Sequence, residues 1–536
     1  MRYPNLISWM VCGLLLGAAI SGRGAAVAGK APRLDHTGGA TRLMVEGQPW
    51  IILGGELHNS SSSSLDYLRP IWPRLKSLNL NTVIASLSWE LVEPEEGRYD
   101  FTLLDGIVEA ARRHELKLVL IWFGTWKNTD GSYAPGWVKT NLVRFPRCQH
   151  RPGVNTTQFS AFAEATLAAD ARAFAAVMRR LREVDGQTHT VLMMQVENEA
   201  GVMPVSRDRS ELAEEAHRKP VPEELMNYLK AHKASLIPEL RAVWASSNYR
   251  ESGTWSEVFG DTPAGDEVFQ AWHIARFIGR VAEAGKAEYP LPMYANAWLV
   301  QQRGQEPGKY PSGGPVAKVM DVWRAAAPAI DFIAPDIYLE DFKNICAEYT
   351  QSGNPLFIPE ASRDERAGLR AYYAIGHHHA LGFAPFGIDS LPATNVLGEH
   401  YGVLQQLAPV LANHLGQKTL RGFLQYRDER RLELDLGDYR AEIEYRSEDP
   451  GRLGGGLLIA TAPDTFLITG VNYTIRFAMP REKSGQVAWL TIDEGVFRHG
   501  QWVPGRRLNG DEAGYRLNLG PRPRILLARV YAFPEK

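Results

Sequence analysis

The sequence predicts an α/β chain: a (β/α)8 TIM barrel followed by a C-terminal β-sandwich-like domain. Three observations lead there. Short apolar runs alternate with helix-period segments through eight βα units between about residues 40 and 415. No Gly-x-Gly-x-x-Gly follows the first run, which weakens an open dinucleotide-binding sheet. From about residue 418 to 536 the pattern changes to strict apolar/polar alternation broken by Gly and Pro.

Bulk properties narrow the function. A length of 536 residues suits one large unit plus a smaller one. The formal net charge of −2 argues against a nucleic-acid partner or a polybasic membrane surface. Three cysteines supply neither a disulfide framework nor a zinc spacing, and whether Cys148 and Cys346 pair is left open. At the N-terminus, Arg2, the apolar stretch Leu6 to Ile20 and the small residues Ala26-Val27-Ala28 read as a signal peptide over 1–28. The mature chain is therefore expected to be exported, periplasmic or extracellular, with no membrane segment once the leader is removed.

The elements follow in order. Trp50 to His58 is the first strand, and Leu68, Ile71, Trp72, Leu75 and Leu78 recur at helical spacing after it. Asn81 to Trp89 is the second strand, followed by a helix carrying Leu104, Ile107, Val108 and Ala111. Lys117 to Phe123 is the third, and an Ala-rich helix over about 159–183 leads to the fourth, 190–197. A long excursion rich in Arg, Glu, Pro and Ser occupies about 201–265, ahead of the helix Phe269 to Ala284. Leu291 to Trp298, Ile330 to Tyr338, Pro355 to Glu360 and Gly382 to Ile388 complete the strands, and a last helix spans about 399–415.

Two of these strands end on carboxylates. The apolar run from Val191 stops at Gln195-Val-Glu-Asn-Glu199, and Pro355-Leu-Phe-Ile-Pro-Glu360 stops at Glu360. Acids and an amide weaken a buried strand unless its end faces a solvated cleft. Active sites of this fold lie at the C-terminal strand ends, where a pair of glutamates is what glycoside hydrolysis requires. A retaining enzyme would hold the two carboxyls roughly 5–6 Å apart. Side chains alternate along a strand, so Glu197 and Glu199 can share a face, and position alone does not choose the acid.

Asn198 is a neutral donor for a sugar hydroxyl, Glu56, His58 and Asn59 are further candidates to read hydroxyls, and Glu197 either does the same or is an acid set behind the site. Trp89, Trp122, Trp126 and Trp298 lie at or just beyond strand ends, where an aromatic face either stacks on a pyranose ring or packs the barrel rim. Asp389 is a candidate hydroxyl ligand after the eighth strand. His377-His378-His379 lies in a helical segment without i, i+4 ligand spacing, so no metal and no cofactor is expected.

The stretch Gln195-Val-Glu-Asn-Glu199 followed by Gly201 resembles the signature of glycoside hydrolase family 35, the β-galactosidases of the retaining barrel clan. Gly54-Gly-Glu-Leu-His58, Trp72-x-x-x-Leu-Lys-x-Leu-Asn-Leu-Asn-Thr-Val83 and Trp89-x-x-x-Glu-Pro94 resemble its first segments. The resemblance spans about residues 40–415. It implies that Glu199 is the acid/base, Glu360 the nucleophile, and Tyr338 the tyrosine that hydrogen-bonds the nucleophile. It further implies a retaining exo-β-galactosidase, similar to secreted bacterial enzymes that strip galactose from plant polysaccharides such as xyloglucan. The alternatives are another clan glycosidase, such as a family 42 galactosidase, endo-glucanase or mannanase, or a catalytically inactive carbohydrate-binding protein.

Overall fold

A computed structural model describes residues 31–426, 428–446 and 452–534, so the expected leader lies outside the described residues. Eight parallel strands form one sheet: β1 (Ile52–Glu56), β2 (Thr82–Ser88), β3 (Lys117–Lys127), β4 (Val191–Asn198), β5 (Met293–Trp298), β6 (Phe332–Ile337), β7 (Glu360–Ala361) and β8 (Gly382–Phe383). Each pairs with its neighbour in chain order. The ring closes where Gly382 of β8 pairs with Ile52 of β1 and where Ile358 bridges Phe383.

A helix backs every strand: α1 (Ile71–Ser77), α2 (Thr102–Arg113), α3 (Glu164–Asp185), α4 (Pro263–Glu288), α5 (Met320–Ala326), α6 (Phe342–Glu348), α7 (Ala367–His378) and α8 (Val396–His414). In α2 the residues buried against the sheet are Leu104, Ile107, Val108 and Ala111, the spacing of a single helical face. Arg112 and Arg113 in its last turn complement the negative end of the helix dipole. Every residue of β4 is buried, as expected of a parallel strand covered on both sides.

Three parts depart from the sequence reading. Short strands Arg33–Asp35, Arg42–Val45 and Gln48–Trp50 form an antiparallel meander. It sends Leu43 and Val45 into the interior cluster of Ile52, Ile84, Val119, Leu192 and Phe332, and so plugs the N-terminal mouth of the barrel. An antiparallel hairpin, Arg147–Arg151 with Val154–Phe159, delays the start of α3 to Glu164. The excursion after β4 folds into helices Glu211–His217, Glu223–His232, Pro238–Ala245 and Trp255–Phe259, the last held by a Thr254/Glu257 capping box.

Beyond α8 lie β9 (Leu420–Leu424), β10 (Arg431–Leu436), β11 (Tyr439–Tyr445), β12 (Gly455–Ala462), β13 (Thr465–Val471), β14 (Tyr473–Ala478), β15 (Gln486–Arg498), β16 (Gln501–Leu508), β17 (Leu517–Leu519) and β18 (Ile525–Phe533). They make two antiparallel sheets, ordered β9-β12-β13-β18-β15-β16 and β10-β11-β14-β17. Tyr439, Ala441, Ile443 and Tyr445 alternate inward along β11 to meet Leu458, Ile468 and Leu526 of the other sheet. The six-stranded sheet rides on α7. A Cβ on Gly422 would stand 2.3 Å from the Tyr372 carbonyl, so glycine permits the contact. Leu420, Leu457, Leu467 and Ile525 extend the barrel's outer core. Among the described residues no helix is long and apolar enough to cross a membrane.

Candidate active site

Both glutamates arrive at the same mouth because both end parallel strands. The register sets Trp298 of β5 opposite Asp336 of β6, and Asp336 opposite Glu360 of β7. Glu199 follows β4, its N–H donating to Asn296 Oδ1 at 3.0 Å. One carboxylate oxygen from each of Glu199, Asp336 and Glu360 lies within 4.8 Å of the others. That separation is the short one of retaining glycosidases; inverting enzymes leave about 6.5–9.5 Å for a water.

The partners of the two glutamates differ. Glu199 Oε2 accepts from Asn128 Nδ2 at 2.6 Å. Glu360 Oε1 accepts from the Tyr338 hydroxyl, and its Oε2 has no hydrogen-bond partner. Burial, then the charge of Glu360, pushes Glu199 up to about 7. A carboxyl there still holds a proton near neutral pH. Burial raises Glu360 too, but Lys127 and the Tyr338 hydroxyl pull it back toward the ionised form. Glu56 and Asp336, buried beside the pair, lie well above the usual carboxylate range, through desolvation first and neighbouring carboxylates second. A cation bound across Glu199, Asp336 and Glu360 would keep Glu199 ionised.

Asn198, Glu56, Trp298 and Tyr338 stay with this mouth. Asn198 Oδ1 accepts from Gln195 Nε2 (3.0 Å) and Asn296 Nδ2 (3.2 Å), while its own Nδ2 has no partner. Glu56 Oε1 is likewise unpartnered. Trp298 is half-buried, and Tyr338 is 45% exposed.

The other candidate residues have different surroundings. Glu197 does not share a face with Glu199: its φ of 64° and that of Glu199, 47°, break the strand alternation. Its carboxyl turns away to accept from the N–H groups of Thr125 (3.1 Å) and Trp126 (2.6 Å) on β3. There it meets Asp170 of α3, which takes hydrogen bonds from Trp122 Nε1 and Thr125. Trp89 is fully buried, donating to Glu93 Oε2 at 2.8 Å, and offers no face to a sugar. Trp122 and Trp126 are buried too. The His58 ring is engaged by Ser390 Oγ at 2.7 Å and by the edge of Phe386. Asp389 spends both oxygens on the His58 N–H and the Ser61 hydroxyl. Cys148 and Cys346 are buried and unpaired.

Asp336, Asn296, Asn128 and Lys127 are the site residues that reading the sequence missed. Asn296 and Asp336 had a visible signal: each is a polar residue near the end of an apolar strand, the pattern that drew attention to Glu199.

Residues 67–261 match the family model Glyco_hydro_42, described as Beta-galactosidase. The matched segment is similar to the barrels of glycoside hydrolases. The match covers β2 to β4 with Glu199 and stops before Glu360, and its family is 42 where the motifs resemble family 35. Residues 397–520 match a Domain of unknown function (DUF5597). No curated protein matches the chain. Among solved structures, the chain is similar to a β-galactosidase from Rahnella sp. R3, at 17% identity over 68% of this chain and 57% of that one, TM-score 0.46. A β-galactosidase from Bacillus circulans sp. alkalophilus gives 16%, 67%, 57% and 0.46. The β-mannanase of the blue mussel Mytilus edulis gives 14%, 69%, 96% and 0.41. The chain thus spans little more than half the length of the two β-galactosidases.

Proposed function

We propose that the chain is a retaining exo-β-galactosidase, closer to family 42 than to family 35, acting on terminal β-galactosyl residues of oligo- or polysaccharides. The observation that carries this reading is the close pair Glu199 and Glu360, with a proton held on the first and a tyrosine hydroxyl on the second. Glu199 protonates the leaving oxygen while Glu360 attacks the anomeric carbon. Glu199, now ionised, then takes a proton from the water that releases the sugar. Asn198 Nδ2 is the free donor for a ring hydroxyl, and Trp298 offers an aromatic face. Plant-type side chains, those of xyloglucan among them, are the natural substrates to try first, and residues 1–28 would export the enzyme to periplasm or medium.

The test is a panel of aryl glycosides differing in sugar and anomer, followed by proton NMR of the first product. The aryl β-galactoside should be cleaved fastest and release β-galactose. Initial release of α-galactose would overturn the double displacement, and faster cleavage of mannoside or glucoside would overturn the sugar. Endo-cleavage of a polysaccharide backbone, without galactose release, would sink the exo assignment.

A further inference from the structure

The chemistry above leaves Lys127 without a contact of its own. It ends β3, where the sheet pairs it with Asn198, and its N–H and C=O are tied in a turn to Asp130. The next residue, Asn128, is the donor to Glu199. The lysine is 7% exposed, with its ammonium 5.3 Å from the centre of the Phe123 ring that lines the barrel interior. Its charge is felt by Glu56, Glu199 and Glu360, on three different strand ends, so it faces the mouth between them.

Yet among the described residues no carboxylate lies within 4.0 Å of Nζ, and no protein oxygen accepts from it. Buried cations are normally paired, and this protein follows the rule elsewhere. Arg207 is held by Glu214 and Asp266, and Arg370 by Asp364. Lys127 stands apart: most of the residue is buried, and none of its three N–H donors has a protein acceptor among the described residues.

We propose that Lys127 is a substrate-contacting residue, whose ammonium donates to a hydroxyl oxygen of the sugar held between Glu199 and Glu360 and selects for sugars bearing that hydroxyl. This rests on the glycosidase reading. The sugar supplies the missing acceptor. A residue kept for structure would have its partners in the protein itself.

Lys127→Met and Lys127→Gln test this on aryl β-glycosides of whichever sugar the wild type cleaves, with a series in which each member lacks one ring hydroxyl. On the parent compound kcat/KM should fall by about 10- to 100-fold, the weight of a charged hydrogen bond. At one position the wild-type preference for parent over deoxy sugar should collapse toward unity in both variants. The thermal midpoint should stay or rise, since an unpaired buried charge has gone. If every parent-to-deoxy ratio is preserved while the acid limb of the pH profile moves up, Lys127 is only a counter-charge to Glu56, Glu199 and Glu360, set among Asp336, Tyr294 and Tyr338, and the proposal falls. A lower thermal midpoint with equal losses on every substrate would mark a structural role and overturn it as well. A wild type that cleaves no glycoside would instead defeat the underlying reading of the barrel.

Discussion

The two mouths of the barrel are built from the same eight strands and could hardly differ more. At the N-terminal mouth Leu43 and Val45 of the meander close over Ile52, Val119, Leu192 and Phe332 in an apolar plug. At the other, Glu56, Lys127, Asn198, Glu199, Asp336 and Glu360 crowd together, several of their polar atoms unpartnered. Apolar packing at one end holds the ring in register. That stability lets the other end carry desolvated charge that would not assemble by itself. Changes at the top should cost turnover without unfolding the chain, and changes at the plug should do the opposite.

The sharpest break would come from Glu360→Ala. With the proposed nucleophile gone the first step should fail whatever the leaving group, and kcat should drop by roughly 10⁴-fold or more on every substrate. Azide should then enter the vacated space and give the α-glycosyl azide. Glu199→Ala comes next. It should lose about 10²–10⁴-fold on natural galactosides but far less on an activated aryl galactoside, which needs no proton. Azide should rescue this variant with the β-azide, and an α-azide would reverse the two roles. The same residue sets a pH signature. Its proton is needed for catalysis and leaves at about 7, so activity on substrates with poor leaving groups should fall as pH rises through about 7. In Glu199→Ala that basic limb should vanish.

At the plug, Leu43→Ala should lower unfolding stability by about 2–5 kcal/mol in a denaturant titration, with kcat unchanged at temperatures where the variant is folded. A variant that kept its stability and lost turnover would erase the division between the mouths. The smallest effect is expected at Glu197→Gln. Burial and the neighbouring Asp170 raise Glu197 well above its usual range, toward the neutral form that an amide imitates. Turnover should change by less than roughly tenfold, because the amide oxygen keeps one of the two backbone donors, Thr125 N–H or Trp126 N–H, and only the other is lost. A Glu199-like collapse on poor leaving groups would instead make Glu197 the acid.

The strands were legible because parallel barrel strands are buried on both faces and read as apolar runs, and Glu199 and Glu360 stood out as acids ending such runs. What stayed hidden depended on backbone turns. Glu197 looked equivalent to Glu199, and only two positive φ values send its side chain to the opposite side. Trp89 looked like a strand end, but a helical turn over Trp89–Val92 begins there and rolls the indole onto Glu93. The meander was missed because strands of three or four residues are too short to show a period. Lys127 drew no attention because a lysine after a strand is usually in water; its burial follows from β3 running on to Lys127, beyond its apolar core.

The ring closure has a consequence for how this chain is made. β1 meets β8 across 330 residues, from Ile52 to Gly382, so the first strand waits for most of the polypeptide before its outer edge is covered. Until then β1 and the latest strand to emerge each expose unpaired backbone and apolar side chains, the kind of surface that recruits other chains. Non-local pairing of this sort is slow to form. The β9 strand that rides on α7 follows within a few dozen residues of β8, so the sandwich can seat soon after the barrel has closed. Yield of soluble protein should therefore depend on the pace of synthesis and on chaperone supply more than the equilibrium stability of the finished barrel would suggest.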